Sequence, residues 1–255
     1  MVLLSFDTEE FDIPEEYGAM LSDAEKLDVG RRGTERIADL LDTLGLRATF
    51  FVTAFFAEHH PDLVRRLAVR HEIASHGYYH SRFEVEHLRT SRECLEGIVG
   101  VGTVKGYRMA RLMPVDDAEL VKAGYSYNSS MNPTYLPGRY NHLAEPRTAF
   151  ERGGLLQVPT SVTPFVRFPL FWLSFKNLPP AVYNLLAART LRSDGYLNLY
   201  FHPWEFVDIS AYNLPTYVKR HSGIALLERL ERFCGYMQQR GATFGTFEAY
   251  FKPMM

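Results

Sequence analysis

The sequence predicts an α/β protein folded as a (β/α) barrel of about seven mainly parallel strands, and three observations carry that expectation. Short apolar runs rich in Val, Phe, Tyr and Leu alternate with helix-period segments along the chain. Seven or so such repeats within 255 residues suit a barrel better than a short open sheet. No internal repeat, low-complexity tract or linker interrupts them, so residues 1–255 read as a single domain.

Taken in order, residues 2–6, 48–52, 72–75, 104–107, 125–128, 155–158 and 196–202 read as strands, with 242–245 a shorter candidate. Thr34 can cap a helix on which Ile37, Leu40, Leu41 and Leu44 recur at helical spacing, and Gly45 can close it. Residues 62–70, 85–95, 116–123 and 222–239 carry similar periods. The stretch 128–176 holds Pro133, Pro137, Pro146, Pro159, Pro164 and Pro169. It is expected to form long loops over one barrel face, where substrates are gripped.

Composition narrows the function. The 28 basic and 30 acidic side chains are interspersed, for a formal net charge of −2. No basic tail or Lys/Arg run offers the footprint of a nucleic-acid binder. Cys94 and Cys234 stand alone in helix-like patterns, and read as core thiols rather than as a disulfide or thiolate metal site. The opening MVLLSFDTEEFD lacks the features of a secretory signal, so a cytoplasmic protein is the expectation. No run approaches the roughly 18 charge-free apolar residues of a membrane span. Residues 165–191, FVRFPLFWLSFKNLPPAVYNLLAARTL, come nearest in character. Their plainer reading is core packing, and the alternative is an interfacial patch.

Three places concentrate chemistry. SFDTEEFD, residues 5–12, sets four carboxylates in eight positions. Strand alternation puts Asp7 and Glu9 on one face with Leu3 and Ser5, whereas Glu10 turns the other way and Asp12 falls past the strand end. Glu10 and Asp12 are therefore expected in a solvated loop. HEIASHGYYHS carries His76 and His80 four apart, which on one helical turn would let both imidazoles meet a single ion. Two imidazoles and a carboxylate make the ligand set of a catalytic divalent metal with open positions. In GYLNLYFHPWEF, His202 shares a strand face with Tyr196, Asn198 and Tyr200, and Pro203 stops the ladder behind it. A barrel places working residues at such a strand end.

In their order and spacing, SFDTEEF, ASHGYYH, GYR and HPWE resemble the motifs of the polysaccharide deacetylases with a NodB homology domain, carbohydrate esterase family four. The resemblance covers nearly the whole chain. It implies a distorted (β/α) barrel of seven parallel strands, in agreement with the strand count. It also implies hydrolysis of a carbon–nitrogen amide bond in an N-acetylated sugar or polysaccharide precursor. Carried over by position, Asp7 resembles the catalytic base, Glu9 stands where the family usually has a metal-binding aspartate, and His76 and His80 resemble the histidine ligands. Arg108 resembles the arginine that orients the base, and His202 the histidine that protonates the leaving amine. The implied cofactor is a divalent metal, zinc first, with cobalt, nickel and iron accepting the same ligands.

Two departures stand out. The family's arginine motif usually continues into a proline two residues on, but Ala110 stands there and Arg111 follows. The aspartate that often pairs with the acid histidine is missing from QVPTSVTPF, residues 157–165, which offers only Thr160, Ser161 and Thr163. Trp204 either stacks on a sugar or packs beneath His202, and Tyr78, Tyr79 and Tyr107 read as wall residues. A hydrolase of a cyclic or linear amide, or a non-catalytic sugar-binding protein on the same scaffold, is the alternative function. The start of the chain and the 165–191 segment together suggest a lipid- or nucleotide-linked substrate at the inner membrane face.

Overall fold

Every residue of Val2–Thr8 is buried, because this strand lies inside a sheet with neighbours along both edges. The computed structural model describes residues 1–254. Its strands are β1 (Val2–Thr8), β2 (Thr49–Val52), β3 (Glu72–Ser75), β4 (Gly106–Tyr107), β5 (Tyr127–Asn128), β6 (Tyr135–Leu136), β7 (Tyr140–Asn141), β8 (Phe150–Arg152), β9 (Leu155–Gln157), β10 (Leu197–Phe201) and β11 (Phe244–Gly245). The main sheet runs β10-β1-β2-β3-β4-β5-β9-β8, with β11 pairing the start of β1. From β10 to β9 every pairing is parallel. Seven parallel strands thus curl into the distorted barrel that the sequence predicts.

Between β9 and β10 no ladder forms, and Asn198 bridges the gap instead. Its carbonyl accepts from Ser161 N at 2.9 Å, and its amide donates to Pro159 O at 2.9 Å. The alternation read along β1 is realised in two cores. Val2, Leu4 and Phe6 pack outward among Ile37, Leu41, Leu226 and Phe233 of the surrounding helices. Leu3 points inward with Phe51, Tyr127 and Phe247, and toward the C-terminal end of β1 that interior face turns polar.

Helices Pro61–Ala68, Glu86–Val99, Asp117–Lys122 and Ile224–Gln238 occupy the expected helical periods. The first helix differs from expectation. It spans Asp23–Leu44 with Ser22 as its cap, accepting from Glu25 N at 3.2 Å, and Gly45 closes it as foreseen. Thr34 is internal to it and donates its hydroxyl to Gly30 O at 2.8 Å. Gly30 and Gly33 within it permit close contact. A Cβ on Gly33 would stand 1.9 Å from Pro203 O, and one on Gly30 2.5 Å from Glu9 O.

The proline-rich stretch contains the β6–β7 hairpin and a strand that sequence reading missed. β8 returns antiparallel to β9 around Gly153 and Gly154, both at positive φ, as a two-residue hairpin turn requires. Residues 165–191 divide. Phe175, Tyr183 and Ala187 are buried within helices Trp172–Asn177 and Pro180–Asp194, whereas Phe165 and Val166 stand in solvent at 100% and 80% exposure. Among the described residues no helix is long and apolar enough to cross a membrane.

Candidate active site

The selected residues gather at the C-terminal ends of neighbouring strands. Asp7 lies in the last turn of β1 with Glu9 just beyond it; His76 follows β3, Arg108 follows β4 and His202 follows β10. Because β10, β1, β2, β3 and β4 are adjacent in the sheet, these ends converge at the barrel mouth.

Glu9, His76 and His80 each bring one ligand atom, and the three atoms lie within 4.8 Å of one another. Glu9 Oε2 is 3.0 Å from His76 Nε2 and 3.2 Å from His80 Nε2. The opposite ring nitrogens are already engaged. His76 Nδ1 bonds Arg108 O at 2.8 Å, and His80 Nδ1 bonds Asp12 Oδ1 at 2.8 Å. Each Nδ1 therefore carries the proton, and in the neutral rings both Nε2 lone pairs aim at the same carboxylate oxygen. Such an array is repulsive unless a cation lies among the three atoms or the rings gain protons. Burial opposes charge on His80, but Glu9 and Asp12 push its pKa up to about 9. Burial likewise opposes charge on Glu9, yet His80, His202 and His76 hold its carboxyl well below the usual range. The donor set fits a divalent metal.

The spacing of His76 and His80 was read as one helical turn, and this is corrected. Residues 76–80 form an irregular loop in which Gly77 takes φ 85°. The histidines converge because this loop folds back over β1. Asp12 and Glu10 are not bystanders either. Both are buried: Asp12 orients His80 and reaches Arg111 at 3.3 Å, and Glu10 Oε2 accepts from Thr53 Oγ1 at 2.7 Å. Burial raises the pKa of Glu10. The 3-10 turn Ile13–Tyr17 that follows bends the chain over the site, which explains why residues beyond the strand are not solvated.

Asp7 has a different partner. Arg108, fully buried, donates through Nη1 to Asp7 Oδ1 at 2.5 Å and to Ser5 Oγ at 2.9 Å. Ser129 fixes the rest of the guanidinium, its Oγ accepting from Nη2 at 3.0 Å and its carbonyl from Nε at 3.2 Å. Phe51 lies under the guanidinium, 4.0 Å from its carbon. A planar fork held at this many points cannot swing away from Asp7.

His202 is supported from an unexpected direction. Glu205 Oε1 accepts from His202 N at 2.9 Å and lies 3.1 Å from His202 Nδ1. Lys176 Nζ stands 2.8 Å from Glu205 Oε2, with both side chains wholly inaccessible, and donates to Val218 O at 2.8 Å. Burial works against charge on Glu205 and on His202, but Lys176 and His202 lower the Glu205 pKa, while Glu9 and Glu205 raise that of His202. Glu205 thus gives His202 a carboxylate partner that residues 157–165 do not offer. Ser161 there accepts from Asn198 N instead. Trp204 packs flat against His202 at 4.9 Å and donates Nε1–H to Glu9 Oε1 at 3.0 Å, which favours the packing alternative. Lys176 carried a sequence signal, being the lone charge in the apolar run 168–188. Glu205 is three residues from His202.

Asp7, Glu9, His76, His80 and His202 line one cavity of about 350 Å³, and Arg108 lies behind Asp7. Its aromatic walls come from Tyr140, Phe171, Trp172 and Tyr200. Tyr78, Tyr79 and Tyr107 do not line it; Tyr78 bonds Glu58 and Tyr107 is buried against Met109.

A family model, polysaccharide deacetylase, matches residues 1–126, the stretch that carries Asp7, Glu9, His76, His80 and Arg108. Residues 1–126 belong to the polysaccharide deacetylase family. The architecture extends the likeness to the deacetylase fold over the rest of the chain. A Pseudomonas aeruginosa PAO1 structure bearing the name "probable polysaccharide deacetylase" superposes with a TM-score of 0.68 at 16% identity, over 97% of this chain and 88% of that one. PuuE allantoinase gives 0.64 at 18% identity, over 96% and 87%. A Bacillus anthracis pseudoenzyme of the same esterase family gives 0.53 at 12% identity, over 98% and 64%. No curated protein matches the sequence.

Proposed function

We propose that the chain is a metal-dependent hydrolase of carbon–nitrogen amide bonds that removes the acetyl group of an N-acetylated sugar. The observation that carries this reading is the division of partners between Asp7 and Glu9. Glu9 faces two imidazole nitrogens, whereas Asp7 faces Arg108. One carboxylate is thereby committed to a metal and the other to a proton.

Bound by Glu9, His76 and His80, a divalent ion such as zinc would supply Lewis acidity, lowering the pKa of water and polarising the amide carbonyl. Asp7, oriented by Arg108, accepts the proton of the attacking water on a carboxylate oxygen. The Arg111–Leu112 turn, at φ 58° and 52°, lines the same cavity and is the segment whose backbone N–H would meet the developing oxyanion. Glu205 faces His202 Nδ1, so Nε2 delivers the proton to the departing amine, and the positive shift in the His202 pKa keeps that proton available near neutrality. Trp204 and Trp172 pack on the ring, at 4.9 and 5.1 Å, and hold it in place.

Acetate release from a panel of N-acetylated sugars, run beside metal analysis of the same preparation, tests the reading; a metal-loaded protein that releases acetate from none of them overturns it. A narrower version places the enzyme at the cytoplasmic membrane face, acting on a lipid- or nucleotide-linked sugar. Its support is the pair Phe165 and Val166, which project from the surface.

A further inference from the structure

We infer that the substrate is a single ring-sized N-acyl amide admitted whole into a closed-ended pocket, and not the interior of a polymer chain. The inference rests on the amide-hydrolase reading above and concerns the shape of that same site.

A polymer can present an internal ring only to a groove that is open at both ends. Here the cavity is walled by separate loops around the barrel mouth, represented by Tyr17 after β1, Leu112 after β4, Tyr140 in the β6–β7 hairpin, Trp172 before β10 and Tyr217 after it. A cross-link ties two of these walls together. Arg111, at the departure from the family's arginine motif, bonds Glu16 Oε1 at 2.8 Å and Asp12 Oδ2 at 3.3 Å. It thus joins the loop after β4 to the loop after β1 directly beyond His80. On another side Tyr17, Arg139 of the hairpin and Tyr217 all line the cavity. The Arg111 link closes the wall beyond His80.

Volume points the same way. About 350 Å³ lies at the lower end of the roughly 300–1,000 Å³ of small-molecule sites. It matches one sugar ring with its acyl group, or a compact cyclic amide. The catalytic groups form one polar patch, while Ile13, Leu136, Pro137, Phe171 and Val218 make most of the remaining lining apolar. Aromatic and aliphatic walls suit the faces of one ring better than a hydrated polymer.

Two arms test the inference. Calorimetric binding to the metal-loaded Asp7→Asn variant compares N-acetylglucosamine with its linear tetramer. The expected result is binding of the monomer at least about tenfold tighter, and a tetramer that binds as well or better, or a monomer that does not bind, overturns the inference. In the wild type, kcat/KM is expected to fall from monomer to tetramer, and a rise with chain length overturns it. Tyr217→Ala, at an exposed helix position, is expected to raise tetramer affinity about fivefold without loss of metal. No such gain, with the fold intact by circular dichroism, counts against Tyr217 as part of a closed wall. If no amide in the panel releases acetate, the parent reading falls while the binding arm still decides the pocket.

Discussion

Glu205 lies 3.1 Å from His202 Nδ1 and 2.8 Å from Lys176. This places a buried carboxylate between the proposed general acid and a fully enclosed ammonium. The arrangement costs desolvation of two charges, which their close approach offsets. Its consequence is chemical: Glu205 helps keep His202 protonated and turns Nε2 toward the substrate.

Glu205→Gln removes that charge and lets the His202 pKa fall. A general acid works in its protonated form, so the alkaline limb of the kcat/KM profile should move to lower pH, with kcat down about 10²-fold. An unchanged limb would show that Glu205 is structural only.

Lys176→Met leaves Glu205 buried without its cation and should destabilise the fold by about 3–5 kcal/mol. Denaturant unfolding measures this. The double variant Lys176→Met/Glu205→Gln should recover much of the loss, because no buried charge then remains unpaired.

Asp12→Asn keeps a hydrogen-bonding oxygen for His80 Nδ1 but removes the charge that strengthens its ligand nitrogen. Competition with a chelator should show metal affinity reduced by about 10–100-fold, with secondary structure unchanged. Equal affinity would show that Asp12 does not tune His80 as a ligand.

Gly33→Ala drives a Cβ into Pro203 O, and both contact partners are backbone. Relaxation has to come from the 23–44 helix or from the segment after His202. A loss of about 1–3 kcal/mol in thermal unfolding is expected, together with reduced turnover, since Pro203 directly follows the proposed acid.

These variants also mark where sequence reading succeeded and where it stopped. Strand alternation is a local rule, and it separated Asp7 from Phe6 and predicted the polar face that ends in His202. The parallel order of the barrel followed from alternation of strand and helix over the chain. Long-range geometry was not legible in the same way. What Gly30 and Gly33 accommodate, the backbone at Glu9 and Pro203, is distant in sequence. Asp12 looked solvated because nothing local shows the 76–80 loop folding over it. Lys176 announced itself only as a lone charge in an apolar run, and its partner became visible once the 172–177 helix was seen against the turn after β10.

The central claim is that Glu9 belongs to a metal and Asp7 to a proton, and parallel measurement of metal content and acetate release in Glu9→Gln and Asp7→Asn tests it most directly. The account predicts that Asp7→Asn retains wild-type metal while turnover falls by about 10²–10⁴-fold, and that Glu9→Gln loses metal and turnover together. Full metal content in Glu9→Gln, or wild-type turnover in Asp7→Asn, would contradict it.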